Sequence, residues 1–439
     1  MLHTPAPIDA RSFLRHLYDV AVAAAQPQNC LSQKFPPPPP EGKLLVIACG
    51  KAAAGMARAA ELHYDQMGAM KAVEGVAVTR YGYGQQLAKL RLIEAAHPVP
   101  DDNSVAAAEA AIAVAASAGA DDLVLVLMSG GASALLVAPA GNITLAEKQA
   151  VTRALLRSGA PISEINCVRK HLSRVKGGRL AELAQPAEVI TLAISDVPGD
   201  SPDTIGSGPT SPDLTTLEEA RAIVARYSLD LPASVAAVLA DPACETPKPG
   251  DAMFARARFE LAATGRDSLE AAAAVARRAG FEVVLLGDAI EGEAREVAAS
   301  HAALARRLQS EGRRALILSG GELTVTIKGN GQGGPNQEYA LALAMHLAGA
   351  PHIAALAADT DGTDGGSGSA DDAAGAIIDT ETLKRATSLN LAPATFLENN
   401  DSNGFFREVG GLLLCGPTGT NVNDFRAIVV DPSAGSVAG

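Results

Sequence analysis

Short apolar runs alternate with alanine-rich segments of helical length, and this alternation restricts the possible folds most strongly. The run LLVIA begins at Leu44, LVLVLM begins at Leu123, and VITLAIS begins at Val189. Strands that are buried on both faces are continuously apolar, and the helices between them connect parallel neighbours. We therefore predict an α/β fold with a parallel sheet covered by helices on both faces.

The second half of the chain repeats the pattern after a break in composition. The segment DPACETPKPGD, from Asp241 to Asp251, places three prolines and a glycine between two helical regions. The runs FEVVLL, ALIL and IAALAAD follow it, so the second half is again α/β. A chain of 439 residues also exceeds one ordinary core. We predict two α/β domains, over residues 1–245 and 246–439.

Charge and cysteine usage exclude several classes of protein. A net charge of −13 and a pI near 5.1 argue against nucleic acid or an anionic membrane as a partner. The five cysteines are scattered without a CxxC pair or zinc-ligand spacing, as in reduced intracellular proteins. The apolar runs are too short to span a bilayer. We expect a cytoplasmic protein that binds anionic substrates through local cationic groups.

Glycine-rich turns follow the first two apolar runs. Gly50 and Lys51 come after LLVIAC, and Ser129, Gly130 and Gly131 come after LVLVLM. Free backbone N–H groups at the start of a helix attract anions, so both turns are candidate phosphate sites, with Ser133 close by. A plain helix cap and a solvated lysine would produce the same pattern.

Aspartate-rich loops follow two other runs. The loop from Ser195 to Asp213 begins with Asp196, and AADTDGTDGG contains Asp361 in the corresponding position. Mg²⁺ is bound by one or two carboxylates together with phosphate oxygens, so Asp196 and Asp361 are candidate ligands. An acidic surface turn is the alternative. The SGG turns at 129–131 and 319–321 are a second match between the two halves of the chain. Chance could also produce such matches.

The segment NCVRKHLSRVKGGRL concentrates five cations in an acidic protein. Arg169, Ser173 and Lys176 have helical spacing, so one helix face could bind a carboxylate or a phosphate. A solvated basic face explains the segment equally well. Gly329–Gly334 matches the dinucleotide pattern GxGxxG, but the preceding TVTIKG alternates like a half-exposed strand, which weakens that interpretation. Zinc-hydrolase and serine-hydrolase motifs are absent from the sequence.

Eight motifs taken in order resemble the glycerate 2-kinase family from about Leu44 to Asp424. They are CGKAAAGMA, EAAHPVPDDNS, SGGASALL, INCVRKHLSRVKGGRLA, ISDVPGDSPDTIGSGPTSPD, SGGELTVTIKGNGQGGPNQE, DTDGTDG and GPTGTNVND. The resemblance implies two Rossmann-like α/β lobes, the second of the MOFRL type, with an active-site cleft between them. It also implies phosphorylation of D-glycerate at the 2-hydroxyl with ATP and Mg²⁺. Many relatives carry arginine where this chain has Pro335, and some members are labelled hydroxypyruvate reductases.

The motifs and the resemblance together define the candidate site. We expect Lys51, Asp196 and Asp361 to be catalytic, with the two aspartates as the candidate Mg²⁺ ligands. An NAD(P)H-dependent hydroxypyruvate reductase is the alternative function, and a homodimer is a candidate assembly. The expected substrate- and nucleotide-binding residues are Gly50, Ser129, Gly130, Gly131, Ser133, Arg169, Lys176, Glu322, Gly334, Asn336 and Asn421.

Overall fold

The computed structural model describes residues 9–366 and 371–432. Its strands are β1 (Leu44–Cys49), β2 (Val73–Arg80), β3 (Arg91–Ala95), β4 (Leu123–Met128), β5 (Glu188–Ile194), β6 (Ala257–Ala263), β7 (Glu282–Leu285), β8 (Gly292–Glu293), β9 (Ala315–Ser319), β10 (Leu323–Thr324), β11 (Ile353–Asp359), β12 (Gly375–Ile378), β13 (Leu412–Leu413) and β14 (Asp424–Val430). Its helices are α1 (Ala10–Ala24), α2 (Pro27–Cys30), α3 (Ala53–Gln66), α4 (Asp102–Ala116), α5 (Ala132–Leu135), α6 (Leu145–Arg157), α7 (Ile162–His171), α8 (Arg179–Leu183), α9 (Leu217–Arg226), α10 (Ala233–Ala240), α11 (Gly265–Arg278), α12 (Ala294–Ser310), α13 (Pro335–Leu347), α14 (Thr382–Ser388), α15 (Pro393–Glu398) and α16 (Ser402–Val409).

The chain divides into two compact units, and each is described by itself. The first unit spans Pro27–Ala262, and the second unit joins the described residues up to Gln26 with those from Ala263 onward. These units depart from the expected division at 245/246 because β6 extends the sheet of the first unit beyond that point. No helix in the described ranges is long and apolar enough to cross a lipid bilayer.

The first unit contains a six-stranded sheet with the order β3-β2-β1-β4-β5-β6. The pairs β2/β3, β1/β2, β1/β4 and β4/β5 are parallel, which confirms the predicted α/β class. Leu45, Ile47 and Cys49 of β1 pack in one cluster with alanines of α4. The strand order reverses between β1 and β4, and the carboxyl edge at such a switch point is where open α/β sheets bind ligands.

The second unit has a mixed sheet with the order β13-β12-β11-β14-β9-β7. Only the β7/β9 pair is parallel among the pairings described for this sheet. The second lobe is α/β as expected, but its sheet is mostly antiparallel, because β14 inserts between β9 and β11 and runs antiparallel to both. As a result, the carboxyl ends of β9 and β11 meet the amino end of β14 at one edge.

Helix α1 belongs to the second unit despite its position near the start of the chain. Leu14, Leu17 and Tyr18 are buried in a cluster with Leu269 and Phe425. The Tyr18 hydroxyl also donates to the carbonyl oxygen of Asp359, at 2.9 Å. The apolar face of α1 therefore completes the core of a sheet whose strands lie beyond residue 280.

Gly75 allows the close approach of β2 to β1. Its φ is +146°, and a Cβ there would lie 1.9 Å from the carbonyl oxygen of Val46. We expect Gly75→Ala to lower the free energy of unfolding by roughly 2–4 kcal/mol, measured by urea denaturation, because the neighbouring backbone cannot move away.

Gly68→Ala is the matched control for this change. Gly68 has a φ of +69°, and a Cβ added there would meet no other atom within 4 Å, so only backbone strain of roughly 1–2 kcal/mol is expected. Equal decreases in the free energy of unfolding of the two variants would show that the contact with Val46 does not cause the destabilisation by Gly75→Ala.

Candidate functional site

The predicted turns after β1 and β4 lie side by side at the carboxyl edge of the first sheet. The backbone N–H of Lys51 donates to the carbonyl of Gly130 at 2.8 Å, and that of Ala52 donates to Ser129 Oγ at 3.0 Å. A Cβ at Gly50 would lie 2.2 Å from Ser129 Oγ, so glycine is required where the turns touch. The structure thus brings Lys51 and the serine-glycine turn to the start of α3.

Ser133 lies between two cations, the buried Lys176 and the half-buried Arg169. Its Oγ accepts hydrogen bonds from Arg169 Nη2 at 2.8 Å and from Lys176 Nζ at 3.0 Å. The Oγ of Ser207 lies 2.8 Å away. Because two cations donate to Ser133 Oγ, its own proton is available for Ser207. Lys176 Nζ donates at 3.0 Å to the Ser133 carbonyl as well.

Burial weakens the protonated forms of both cations. Desolvation, followed by repulsion from Arg169 and Lys148, lowers the pKa of Lys176 well below its ordinary value. Desolvation likewise lowers the pKa of Arg169. Among the described residues neither cation forms an ion pair with a carboxylate. A bound anion would therefore supply the opposite charge that this group lacks.

Lys170, in the same basic segment, has a different role from Arg169. Its Nζ contacts Asp203 at 3.1 Å and Asp213 at 3.2 Å. Two aspartates of the acidic loop after β5 are therefore occupied in a buried ion-pair group, and Lys170 attaches that loop to α7. Asp196, the first acid of the loop, follows β5 directly at the carboxyl edge and is half-buried.

The expected helical face of Arg169, Ser173 and Lys176 is wrong. Helix α7 ends at His171, and Ser173 pairs with Pro139 in an isolated bridge. Lys176 lies in the turn that follows, where Ser173 Oγ accepts from its backbone N–H at 3.3 Å. The side chains of Arg169 and Lys176 nevertheless converge, because α7 and this turn approach Ser133 from two directions.

Lys148 on α6 is a buried cation that the sequence reasoning missed. Its Nζ donates to the carbonyl of Leu172 at 2.6 Å, at the C-terminal end of α7. Desolvation, with repulsion from Arg169 and then Arg179, lowers the pKa of Lys148 to about 7. A lysine among polar neighbours on an amphipathic helix carries no sequence signal of burial, so only the packing of α6 on α7 shows it.

The second unit gathers Asp361 and Asn421 at the edge formed by β11 and β14. Asp361 Oδ1 accepts from the backbone N–H of Thr363 at 2.8 Å and from its hydroxyl at 3.0 Å. The backbone N–H of Thr418 donates to the Asp361 carbonyl at 3.0 Å, which joins the two loops. Asn421 and Asp361 are both nearly inaccessible to solvent.

Asn336 connects a buried acidic network in the same unit. Its Nδ2 donates to Asp424 Oδ1 at 2.6 Å and to Asp364 Oδ1 at 3.2 Å. Arg426 Nη1 contacts the other oxygen of Asp424 at 2.6 Å. Desolvation raises the pKa of Asp364 to about 7, against the backbone N–H groups of Asn336 and Gln337 that lower it. This network holds the start of α13 at the sheet edge.

Glu322 and Gly334 are two further candidate site residues in the second unit. Glu322 is exposed and follows Gly321, the turn residue after β9. Gly334 precedes α13, and a Cβ there would lie 2.4 Å from the backbone of Asp364. Gly334 therefore permits close packing, whereas Glu322 is accessible to a ligand.

The dinucleotide-like loop Gly329–Gly334 is used for packing. A Cβ at Gly329 would lie 2.3 Å from the carbonyl oxygen of Asn399, and one at Gly331 would lie 2.3 Å from Asp401 Cβ. The N–H groups of residues 328–332 donate to Asn399, Asn400 and Asp401. The backbone donors that would hold a pyrophosphate are thus already occupied.

Two family models match the chain. The first, described as Domain of unknown function (DUF4147), matches residues 13–240, and the second, described as MOFRL family, matches residues 315–424. An Agrobacterium vitis protein with the provisional name hydroxypyruvate reductase is 46% identical over 429 residues, which cover 96% of this chain and 95% of that protein.

Kinases are similar over most of the chain as well. The D-glycerate 2-kinase of Thermotoga maritima is 39% identical over 387 residues, covering 87% of this chain and 89% of that protein. A crystal structure of glycerate kinase from Thermotoga maritima matches with a TM-score of 0.86 and 36% identity, covering 96% of this chain and 99% of that one.

The doubly wound sheet, with glycine turns and cations at its carboxyl edge, is the arrangement in which α/β enzymes bind anionic ligands. The similarity to these proteins covers most of the chain, and this assigns the chain to a family. This chain belongs to the glycerate 2-kinase family, and it is a kinase.

Lys148→Met should change how stability depends on pH. Folding lowers the pKa of Lys148 from 10.5 to about 7, so between these pH values the unfolded chain binds more protons at this position. The free energy of unfolding of the wild type therefore contains a contribution from Lys148 that rises with pH over this window, by an amount on the order of a few kcal/mol. The variant lacks this contribution. Urea denaturation across the window measures this difference.

Lys71→Met serves as the control, because Lys71 is exposed. Its free energy of unfolding should follow the wild-type pH dependence. A Lys148→Met curve parallel to the wild-type curve would contradict the buried-cation interpretation.

Proposed function

We propose that this kinase phosphorylates D-glycerate at its 2-hydroxyl, using ATP and Mg²⁺. The observation that carries this proposal is the group of Arg169, Lys176 and Lys51 at the carboxyl edge of the first sheet, where both substrates bring negative charge. The relatives named as glycerate kinases support the substrate. Phosphoryl transfer depends mainly on positioning and on neutralised phosphate oxygens, which cations of this kind provide.

In the first unit, the role that we assign to each residue in phosphoryl transfer follows from its position. Lys51 stands beside the N-terminus of α3, where its charge and the positive end of the helix dipole would stabilise phosphate oxygens. Arg169 has a planar guanidinium that forms a single described hydrogen bond, so its remaining donors suit a carboxylate or phosphate. Ser133 fixes the directions of Arg169 and Lys176.

Each unit has a carboxylate of the type that binds a magnesium ion carried by a nucleotide. The described residues contain no group of three or more side chains of the types that form a resident metal cage. Mg²⁺ with ATP needs only one or two carboxylates, and Asp196 in the first unit and Asp361 in the second unit are each a candidate ligand. The ion would neutralise charge on the transferred phosphate. An aspartate in either position would hold the ion or orient the 2-hydroxyl of glycerate.

The reductase alternative has less support. It rests on the provisional name of two relatives and on the loop Gly329–Gly334. That loop packs on Asn399–Asp401 and uses its backbone donors there, so it is not shaped for a nicotinamide dinucleotide. Oxidation of NADH by hydroxypyruvate, with no ADP released from ATP and D-glycerate, would favour the reductase instead.

The direct test is a coupled assay of ADP release with ATP, Mg²⁺ and D-glycerate. A product that enolase consumes without phosphoglycerate mutase is 2-phosphoglycerate, as proposed. A product that requires the mutase would be the 3-phosphate and would contradict the proposed position of transfer.

Lys51→Met should lower kcat/KM by about 10²–10³-fold, because a preorganised positive charge at the transferred phosphate is lost. Lys43→Met is the matched control. Lys43 immediately precedes β1 at the opposite edge of the same strand and is 56% exposed. It should keep wild-type activity. Equal effects of the two changes would mean that Lys51 acts only through general surface charge.

Asp196→Asn and Asp361→Asn should each lower kcat by at least about tenfold, with little change in unfolding temperature. The amide oxygen introduced by Asp361→Asn can still accept the hydrogen bonds from Thr363, so folding should survive the loss of charge. The exposed Asp65→Asn is the control. Full activity in both site variants would remove the aspartates from the mechanism.

A further inference from the structure

A cavity of about 310 Å³ opens beside the cation group of the first unit. One wall is a face of α6, where Leu145, Lys148, Thr152 and Leu156 repeat at intervals of three and four residues. The opposite wall is the loop from Pro98 to Pro100, which follows β3. This volume is at the lower end of the range for small-molecule sites, enough for one compact ring system.

The wall of the cavity is apolar and open to a ligand. Val99 and Leu156 are each 60% exposed, although both are large apolar side chains. Pro98, Val137 and Leu145 extend the same surface. Exposed apolar side chains that line a concave site are typical of ligand-binding clefts.

The floor of the cavity is cationic. Ser133 and Arg169 line it, so the cavity borders the group in which Ser133 Oγ receives hydrogen bonds from Arg169 and Lys176. A Cβ at Gly131 would lie 3.0 Å from the ring of His97 and 3.3 Å from Lys51 Cγ. The cavity is therefore adjacent to the glycine turn that holds Lys51.

Gln149 fixes the two walls relative to each other. Its Nε2 donates to the carbonyl oxygen of Pro100 at 2.7 Å, which fastens the loop after β3 to α6. Thr152 Oγ1 donates to the Lys148 carbonyl at 2.9 Å and so stays on the helix. The cavity is bounded by a helix and a tethered loop, and a ligand would meet a prearranged surface.

The apolar walls and the cationic floor of the cavity fit a nucleotide better than they fit D-glycerate. D-glycerate is small and polar throughout, and it has no apolar surface to place against Val99 and Leu156. A nucleotide has a planar base for an apolar wall and phosphates for the cations. In three other cavities of the molecule the carboxylates outnumber a single arginine, which disfavours a nucleotide: Glu61 and Asp65 with Arg58, Glu164 and Glu219 with Arg226, and Asp364, Asp371 and Asp372 with Arg407.

We propose that this cavity binds the base and ribose of the nucleotide, with the base between the Pro98–Pro100 loop and α6 and the phosphates directed toward Arg169. The inference rests on the proposed function for the identity of the ligand. It places the phosphates on the Lys51 side of the base, because Ser133 and Gly131 lie between the cavity and Lys51.

Leu156→Trp provides a direct test, because the wild-type chain has no tryptophan. The new indole would be the sole tryptophan and would stand at the rim of the cavity. We expect its emission to change saturably on addition of ADP, with ATP competing and D-glycerate having no effect. Ala150→Trp is the matched control, since Ala150 is exposed on the same helix and does not line the cavity. Its emission should not respond.

Thr152→Phe tests the same site through kinetics. The larger side chain would occupy the space of the base, so KM for ATP should rise by about tenfold or more, corresponding to about 1.4 kcal/mol of binding. KM for D-glycerate and kcat should stay within about twofold of wild type. Parallel increases in both KM values would contradict a separate nucleotide site.

The outcomes separate this inference from the proposed function. Suppose that the wild type phosphorylates D-glycerate, but the emission of Leu156→Trp does not change at ADP concentrations at which calorimetry detects ADP binding. The cavity assignment is then wrong and the kinase activity stands. If ADP changes that emission but D-glycerate is not phosphorylated, the cavity assignment stands and the substrate is wrong.

Discussion

The first unit depends most on two cations, the buried Lys176 and the half-buried Arg169, which share one serine hydroxyl. Among the described residues neither of them forms an ion pair with a carboxylate. An ammonium or guanidinium group that leaves water loses hydration, and only an opposite charge or a set of acceptors restores it. Ser133 supplies two acceptors to Lys176 and one to Arg169, which leaves the positive charge itself uncompensated. The unliganded protein thus carries an electrostatic cost that a bound anion would relieve. This local excess of positive charge stands out in a chain with a net charge of −13.

The second unit shows the opposite arrangement. Asp364 and Asp424 are buried and accept hydrogen bonds from the amide of Asn336, and Asp424 also pairs with the guanidinium of Arg426. Within the described residues, Asn336 Oδ1 is buried without a hydrogen-bond partner. Asp361 lies at the same sheet edge, fixed by Thr363. In the part of the chain that the structure describes, the first unit therefore has cations without an opposite charge, and the second unit has a carboxylate that its neighbours hold in place.

The parts of the structure that were predictable from the sequence depend on local pattern. The apolar runs at Leu44 and Leu123 became neighbouring parallel strands, and their turns met because the carboxyl ends of parallel strands share an edge. The direction of β14 was not predictable, since a buried antiparallel strand has the same apolar pattern as a parallel one. The burial of Lys148 was also hidden, because it arises from packing between helices. The loop Gly329–Gly334 shows the reverse case, in which a familiar spacing of glycines serves contact between backbones.

The position of β14 has a consequence for the order in which the chain can fold. This strand lies inside the second sheet, between β9 and β11, yet it is the last strand in the described sequence. Near the other end of the chain, α1 joins the same core, and Ser268 Oγ donates to the Ala21 carbonyl across 247 residues of sequence. During synthesis the first unit can become compact while α1 still lacks its partners. Until Asp424–Val430 leaves the ribosome, β9 and β11 both present unpaired edges, the type of surface that recruits strands from other chains. The vulnerable period of this protein in the cell is therefore the interval between completion of the first sheet and arrival of its final strand.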